Sequence, residues 1–221
     1  MKFKVLDKGY VHYVESLGSD LTVVNAARCS FDKVKDEFDE KDEKLIAYLA
    51  REKHLLPFRH PHISLRMHMP IFVLRQLGKH QVGFSWSEVS RRYVKEEPEF
   101  YEPAVWRKKP EGSIKQGSGG VLEIFKGEDI PTVVSDNYEL ALIDYQFLLD
   151  RGAAPEMARM ILPQSMYTTV YVTGSLLGWH HLYKQRTDPH AQLETQEYAR
   201  AIGKIMEELY PVSWGALNDN N

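Results

Sequence analysis

The sequence predicts an α+β fold, a mainly antiparallel sheet flanked by helices, and three observations carry that prediction. Stretches at 2–16, 62–69 and 166–174 alternate apolar with polar residues or concentrate Val, Thr and Tyr, as half-buried strands do. Stretches at 39–53, 136–151 and 190–210 repeat apolar residues at helical spacing. Strand-like and helix-like segments follow one another with neither an internal repeat nor a regular strand–helix–strand rhythm, which argues against a doubly wound parallel sheet.

Taken in order, residues 2–16 carry Val5, Tyr10, Val11, Tyr13 and Val14 around a Lys8-Gly9 turn and predict a β-hairpin. An acidic cap and helix formers from Asp20 predict a short helix ending near Cys29. Residues 39–53 are charged, with Leu45, Ile46, Tyr48 and Leu49 interspersed, and predict an amphipathic surface helix. After Pro57, Ile63, Leu65, Met67 and Met69 alternate with His62, Ser64, Arg66 and His68, the pattern of a strand with one polar face. Pro70 is expected to open a helix at its first position, running through Ile71, Phe72, Val73 and Leu74 into Arg75, Gln76, Lys79 and His80. Beyond Gly83 the spacing is that of an extended chain as far as Tyr93. Residues 95–130, rich in Lys, Glu, Pro and Gly, predict a long loop with little regular structure, either mobile or functional. A helix over 136–151, a short helix over 155–162, a strand over 166–174 and helices over 175–184 and 190–210 complete the chain.

The 221 residues are enough for one large domain or two small ones with a substantial core. A net charge of −3 argues against bulk electrostatic binding of nucleic acid. Absence of a long apolar run argues against a membrane span, and the early charges in Met-Lys-Phe-Lys-Val-Leu-Asp against a secretory signal. The single cysteine, Cys29, excludes an internal disulfide and suits a reducing, cytoplasmic setting; between Arg28 and Ser30 it reads better as a small buried residue than as a nucleophile.

The chemistry concentrates in residues 75–93. In an extended chain Glu88, Ser90 and Arg92 share one face, bringing together an acceptor, a hydroxyl and a guanidinium suited to an anion. A solvated helix end followed by an edge strand explains the same residues equally well. Arg159 is a lone cation on a short apolar helix, either functional or paired with Glu156. Arg186 lies where the next helix starts, which suits an anion or carbonyl site as well as it suits ordinary capping by Asp188. His60-Pro-His62 could ligate a metal, yet no third ligand accompanies it, so histidines hydrogen-bonded to backbone are expected and no metal is assigned. There is no Gly-x-Gly-x-x-Gly or Walker-type loop.

The stretch resembles the signature of flavin-dependent thymidylate synthases, Arg-His-Arg-x-x-Ser-x-Asn-Glu-x-Ser-x-Arg-Tyr. Here Lys79-His80-Gln81 and Ser85-x-Ser87-Glu88-x-Ser90-x-Arg92-Tyr93 stand in its place, with three substitutions and one extra residue. Further similar blocks follow in family order: Leu6-Asp7-Lys8-Gly9, Ala26-Ala27-Arg28-x-Ser30-Phe31, Pro57-Phe58-x-His60, Pro70-Ile71-Phe72-Val73-x-Arg75-Gln76, Ala158-Arg159-x-x-Leu162-Pro163 and Arg186-x-Asp188-x-His190-Ala191-Gln192. The resemblance implies a single domain over residues 1–221. It implies dUMP contacts at Gln76, Leu77, Gly78, Lys79, Glu88, Val89, Ser90, Arg91, Arg92, Arg159 and Arg186, the last being the catalytic arginine that favours an ionised uracil. It implies FAD contacts at His54, Leu56, Arg59, Lys79, His80, Gln81, Glu88, Ser175, Leu177 and His181. Ser175 and Leu177 replace an Asn and an Arg frequent in the family. The implied reaction is reductive methylation of dUMP to dTMP, with 5,10-methylenetetrahydrofolate as carbon donor and NADPH reducing the flavin. A homotetramer with active sites shared between subunits is also implied. Two alternatives remain: an inactive relative that binds nucleotide or RNA, and a flavoprotein that oxidises NADPH without methyl transfer.

Overall fold

The computed structural model describes residues 1–94, 96–111, 117–123 and 129–219. Five strands form one antiparallel sheet: β1 (Lys2–Val5), β2 (Gly9–Leu17), β3 (His62–Pro70), β4 (Phe84–Glu88) and β5 (Tyr167–Ser175), in the order β1-β2-β3-β5-β4. The predicted α+β, mainly antiparallel class is the observed one. Register follows the alternation in the sequence. Leu65 pairs with Val172 and Met67 with Val170, all on the face turned to the core, while Arg66 pairs with Tyr171 and His68 with Thr169 on the other. Polar pairs knit that second face, Ser64 Oγ to Thr173 Oγ1 at 2.9 Å and His68 Nδ1 to Thr169 Oγ1 at 2.9 Å.

The apolar face is covered by helices: α1 (Asp20–Arg28), α2 (Glu40–Arg51), α3 (Ile71–Leu77), α6 (Leu176–Arg186), α7 (Leu193–Leu209) and α8 (Pro211–Asp219). Two more, α4 (Ile130–Asp150) and α5 (Pro155–Ala158), lie beyond the long loop. Ile202, Ile205 and Met206 of α7 are fully buried against the sheet, as their spacing predicts. The side chain of Asp42 is also fully buried, held by Arg28 at 2.8 Å and Lys35 at 2.5 Å. Among the described residues no helix is long and apolar enough to cross a membrane.

Several local expectations are corrected. Pro70 ends β3 in an extended conformation and precedes α3, rather than occupying its first turn, and α3 stops at Leu77. The N–H groups of Lys79 and His80 fold back onto the carbonyls of Gln76 and Leu77 in tight turns instead of continuing the helix. The extended chain expected through Tyr93 ends at Glu88. After a last sheet bond from Val89 N–H to the Thr169 carbonyl, the chain turns, with Ser90 Oγ accepting from Arg92 N–H at 3.3 Å. Cys29 is exposed, not buried, because it begins a 3-10 turn (Cys29–Phe31) outside the core. The helix α4 starts six residues earlier than expected, at a cap formed by Asp129, whose carboxylate accepts from Thr132 N–H at 3.1 Å. Before it, the described loop residues make only two isolated bridges, Phe100 with Met166 and Arg107 with Val121. Residues 95, 112–116 and 124–128 of the loop lie outside the described residues.

Candidate active site

Edge strand β4 and the start of α6 frame a trough. Three adjoining cavities of about 630, 270 and 160 Å³ make it up. Arg186 is shared by the first two, and Val82, Gly178 and His181 by the second and third. Gln76, Arg186, Asp188 and Gln192 line the first. Lys79, His80, Gln81, Phe84, His181 and Gln185 line the second, and Arg59, His62, Ser175 and Leu177 the third. Residues far apart in sequence meet because Phe84 pairs with Gly174 at the end of β5 that leads into α6. Gly83 makes the entry to β4 possible. Its φ of 80° suits glycine, and a Cβ there would stand 2.9 Å from Ser175 Oγ.

Arg186, the last residue of α6, is half-buried and held at two points. Its Nε donates to His80 Nε2 at 3.0 Å and a terminal nitrogen donates to the Gln76 carbonyl at 2.9 Å. Burial lowers the pKa of Arg186 from its ordinary value, although an arginine stays charged at neutral pH. His80 is pushed down to about 4, by burial first and then by the charges of Arg186 and His181. His181 is lowered as well, by burial and by the Arg59 and Lys184 cations. The Gln76 side chain is committed within the protein: its amide donates to Gln192 Oε1 at 2.6 Å and accepts from Thr195 Oγ1 at 3.1 Å. Gln192 also borders a neighbouring cavity of about 310 Å³, where Glu194, 3% exposed, is bound by Arg107 at 2.8 Å and Tyr101 at 3.3 Å.

The remaining predicted site residues do not line this trough. Leu77 is fully buried, so only its backbone is available, while Gly78 bonds back to the Leu74 carbonyl at 2.7 Å. Glu88 accepts from Thr168 Oγ1 at 2.9 Å at the far end of β4, four residue rises or ~14 Å from Phe84. Beyond it, Val89 is exposed. Arg92 Nε reaches Ser90 Oγ at 3.3 Å, and its Nη1 lies 3.9 Å from Glu156. Arg91 sits over the Tyr145 ring at 5.7 Å beside a separate cleft of about 530 Å³, its buried Nε without a partner among the described residues. Arg159 is exposed in a 3-10 turn (Arg159–Ile161), and Glu156, its partner in one of the two sequence readings, is nearer to Arg92. His54 is exposed and edge-on to Tyr48, and Leu56 is exposed in the turn Leu56–Arg59. His62, by contrast, does line the third cavity, and its Nδ1 bonds to the His60 carbonyl at 2.9 Å.

Sequence reasoning missed His62, Val82, Phe84, Gly178 and Gln185 as trough residues. Gly178 and Gln185 stand on the helix that carries His181, three and four residues from it, and that spacing is the available signal. Nothing local marks Gln192 and Thr195 as the residues that hold Gln76.

A family model described as thymidylate synthase complementing protein, Thy1, matches residues 12–212. A flavin-dependent thymidylate synthase of Thermosipho melanesiensis is 41% identical over 96% of this chain and 91% of its own length. The corresponding protein of Thermotoga neapolitana is 39% identical over 98% and 94%. One of Thermus thermophilus is 37% identical over 98% of this chain and 78% of its own. Among solved structures, a UMP/dUMP methylase from Streptomyces cacaoi bound with 5-Br dUMP superposes with a TM-score of 0.84. It is 31% identical and covers 98% of this chain and 97% of its own.

Proposed function

The chain belongs to the flavin-dependent thymidylate synthase family, methyltransferases and flavoproteins of dTMP synthesis, and from that premise we propose how its residues divide the work. The reaction is transfer of a methylene carbon from 5,10-methylenetetrahydrofolate to C5 of dUMP, with NADPH as the source of reducing equivalents. The observation that carries this reading is the trough that gathers Gln76, Lys79, His80, His181 and Arg186 from two distant segments of the chain.

The donor set there fits FAD. Arg59 and Lys79 bring cations suited to a diphosphate, the histidine and amide edges of His80, Gln81 and His181 suit heteroatoms of the ring or ribityl chain, and Leu177 supplies an apolar wall. The Ser175 hydroxyl already accepts from Gly178 N–H at 3.1 Å, so it shapes the helix start while bordering the cofactor. When bound, FAD supplies the hydride chemistry. Arg186 faces the uracil and stabilises negative charge developing on the ring, a task suited to a guanidinium that stays protonated. Ser90 and Arg92 take the phosphate, and Glu88, Val89, Arg91 and Arg159 complete that end of the nucleotide site.

Because Arg186 and Arg92 lie at opposite ends of β4, one copy supplies the first group and a second copy the other. On this reading the active sites are shared between copies in a homotetramer that works in a cytoplasmic setting. Exposed apolar residues on α4, namely Val133, Leu140, Ile143 and Phe147 at helical spacing, support association of copies. The test is an assay of the purified protein with dUMP, 5,10-methylenetetrahydrofolate and NADPH. Formation of dTMP is expected. NADPH oxidation without dTMP would contradict the reading and favour a reductase.

A further inference from the structure

An arginine can only donate hydrogen bonds, so the group facing Arg186 Nε must present a lone pair. That group is His80 Nε2, at 3.0 Å. The imidazole is therefore neutral, with its proton on Nδ1. Its backbone is fixed on two sides. The His80 N–H donates to the Leu77 carbonyl at 3.0 Å, and the His80 carbonyl accepts from Trp86 Nε1 on β4 at 3.1 Å. The second anchor of Arg186 is the Gln76 carbonyl in the last turn of α3, the negative end of that helix.

We propose that His80 is the positioning residue for Arg186: its Nε2 lone pair holds the guanidinium in the orientation that meets the substrate ring. This rests on the proposed function, in which Arg186 faces the uracil. It goes further by assigning a ring of the Lys79-His80-Gln81 segment to the substrate's arginine as well as to the flavin. The cationic or titratable groups around His80 are Lys79 beside it and His181 and Arg186 from α6. Protonating the imidazole would turn Nε2 into a donor facing a donor, and Arg186 would lose its anchor. The surroundings oppose that protonation, since burial and the neighbouring charges push the His80 pKa down to about 4.

Two substitutions separate the acceptor from the bulk of the ring. His80→Gln can place an amide oxygen near the position of Nε2, whereas His80→Asn reaches only the position of Nδ1. Each is measured for kcat and KM of dTMP formation and for bound FAD, alone and with Arg186→Lys. His80→Asn is expected to lower kcat by about 10- to 100-fold with FAD retained, and His80→Gln by less than about fivefold. In the Arg186→Lys background His80→Asn should cost less than about threefold more, because the two residues act as one unit. Equal losses in both backgrounds overturn the proposal, as does a loss of activity matched by loss of FAD. Damage by His80→Gln equal to that by His80→Asn overturns it too. A wild-type chain that forms no dTMP refutes the proposed function and this inference with it; a wild-type chain that forms dTMP while the losses stay additive refutes this inference alone.

Discussion

Arg186 and Arg92, both assigned to one nucleotide, sit in opposite kinds of surroundings. Arg186 is half-buried, with a histidine and a helix-end carbonyl holding it at 3.0 and 2.9 Å. The Arg92 side chain is 49% exposed, its nearest acceptors stand at 3.3 and 3.9 Å, and the turn that carries it has left the sheet. A preorganised cation acts on charge without first being ordered, whereas a loose one must be ordered as its ligand binds. On the proposed function, the difference teaches that one chain builds the chemical end of the site by itself and leaves the phosphate end open.

The contrast predicts a graded series of losses. Arg186→Ala removes the charge opposite the reacting ring, so dTMP formation should fall by about 1,000-fold while FAD stays bound. Turnover near wild type would show that another group does this work. Arg92→Ala should act on affinity, raising the Kd for dUMP by about 10- to 100-fold with FAD binding unchanged. An unchanged Kd in a titration of the FAD-loaded protein would remove Arg92 from the site.

A third prediction concerns pH. His80 is lowered from an ordinary 6.5 to about 4, so the folded chain binds fewer protons there than the unfolded chain between those values. Unfolding is then favoured as pH falls through this window, and the thermal midpoint should drop from pH 6.5 toward 4. His180, also lowered to about 4 by burial, adds to the same slope, so the telling quantity is the smaller drop in His80→Gln. An identical slope in that variant would mean that His80 is not the neutral acceptor described. The smallest effect is expected at Gly83→Ala. The positive φ and the 2.9 Å approach to Ser175 Oγ should cost about 1–2 kcal/mol in denaturant unfolding, and no change would mean the backbone relaxes there freely.

Elements whose ends are written in neighbouring residues were legible. The hairpin, β3, β5 and most of α6 follow from alternation and spacing, but α6 runs past its expected end at residue 184 to carry Arg186, which the sequence places at the start of the next helix. The turn after Glu88 was not legible as a turn, because Ser90 redirects the chain through its own hydroxyl where a period-two pattern still reads as strand. The missed helix α8 is capped from far away, Asp20 accepting from Val212 N–H at 3.1 Å and Ser213 N–H at 2.9 Å, which no local signal announces. The start of α4 is written in Asp129-Ile-Pro-Thr, a cap followed by a first-turn proline, but the loop-like composition before it masks that signal. The proposed division of the site between two ends of β4 depends on the strand's length and pairing, which residue types alone do not reveal.

The most direct measurement mixes two inactive variants. Arg186→Ala and Arg92→Ala, each lacking one end of the site, are dissociated, combined and reassembled, and dTMP formation is followed. If sites are shared between copies, hybrids contain some sites with both arginines intact, and activity should return to a measurable fraction of wild type. If every site is built within one chain, no hybrid site has both arginines, and the mixture stays as inactive as its components.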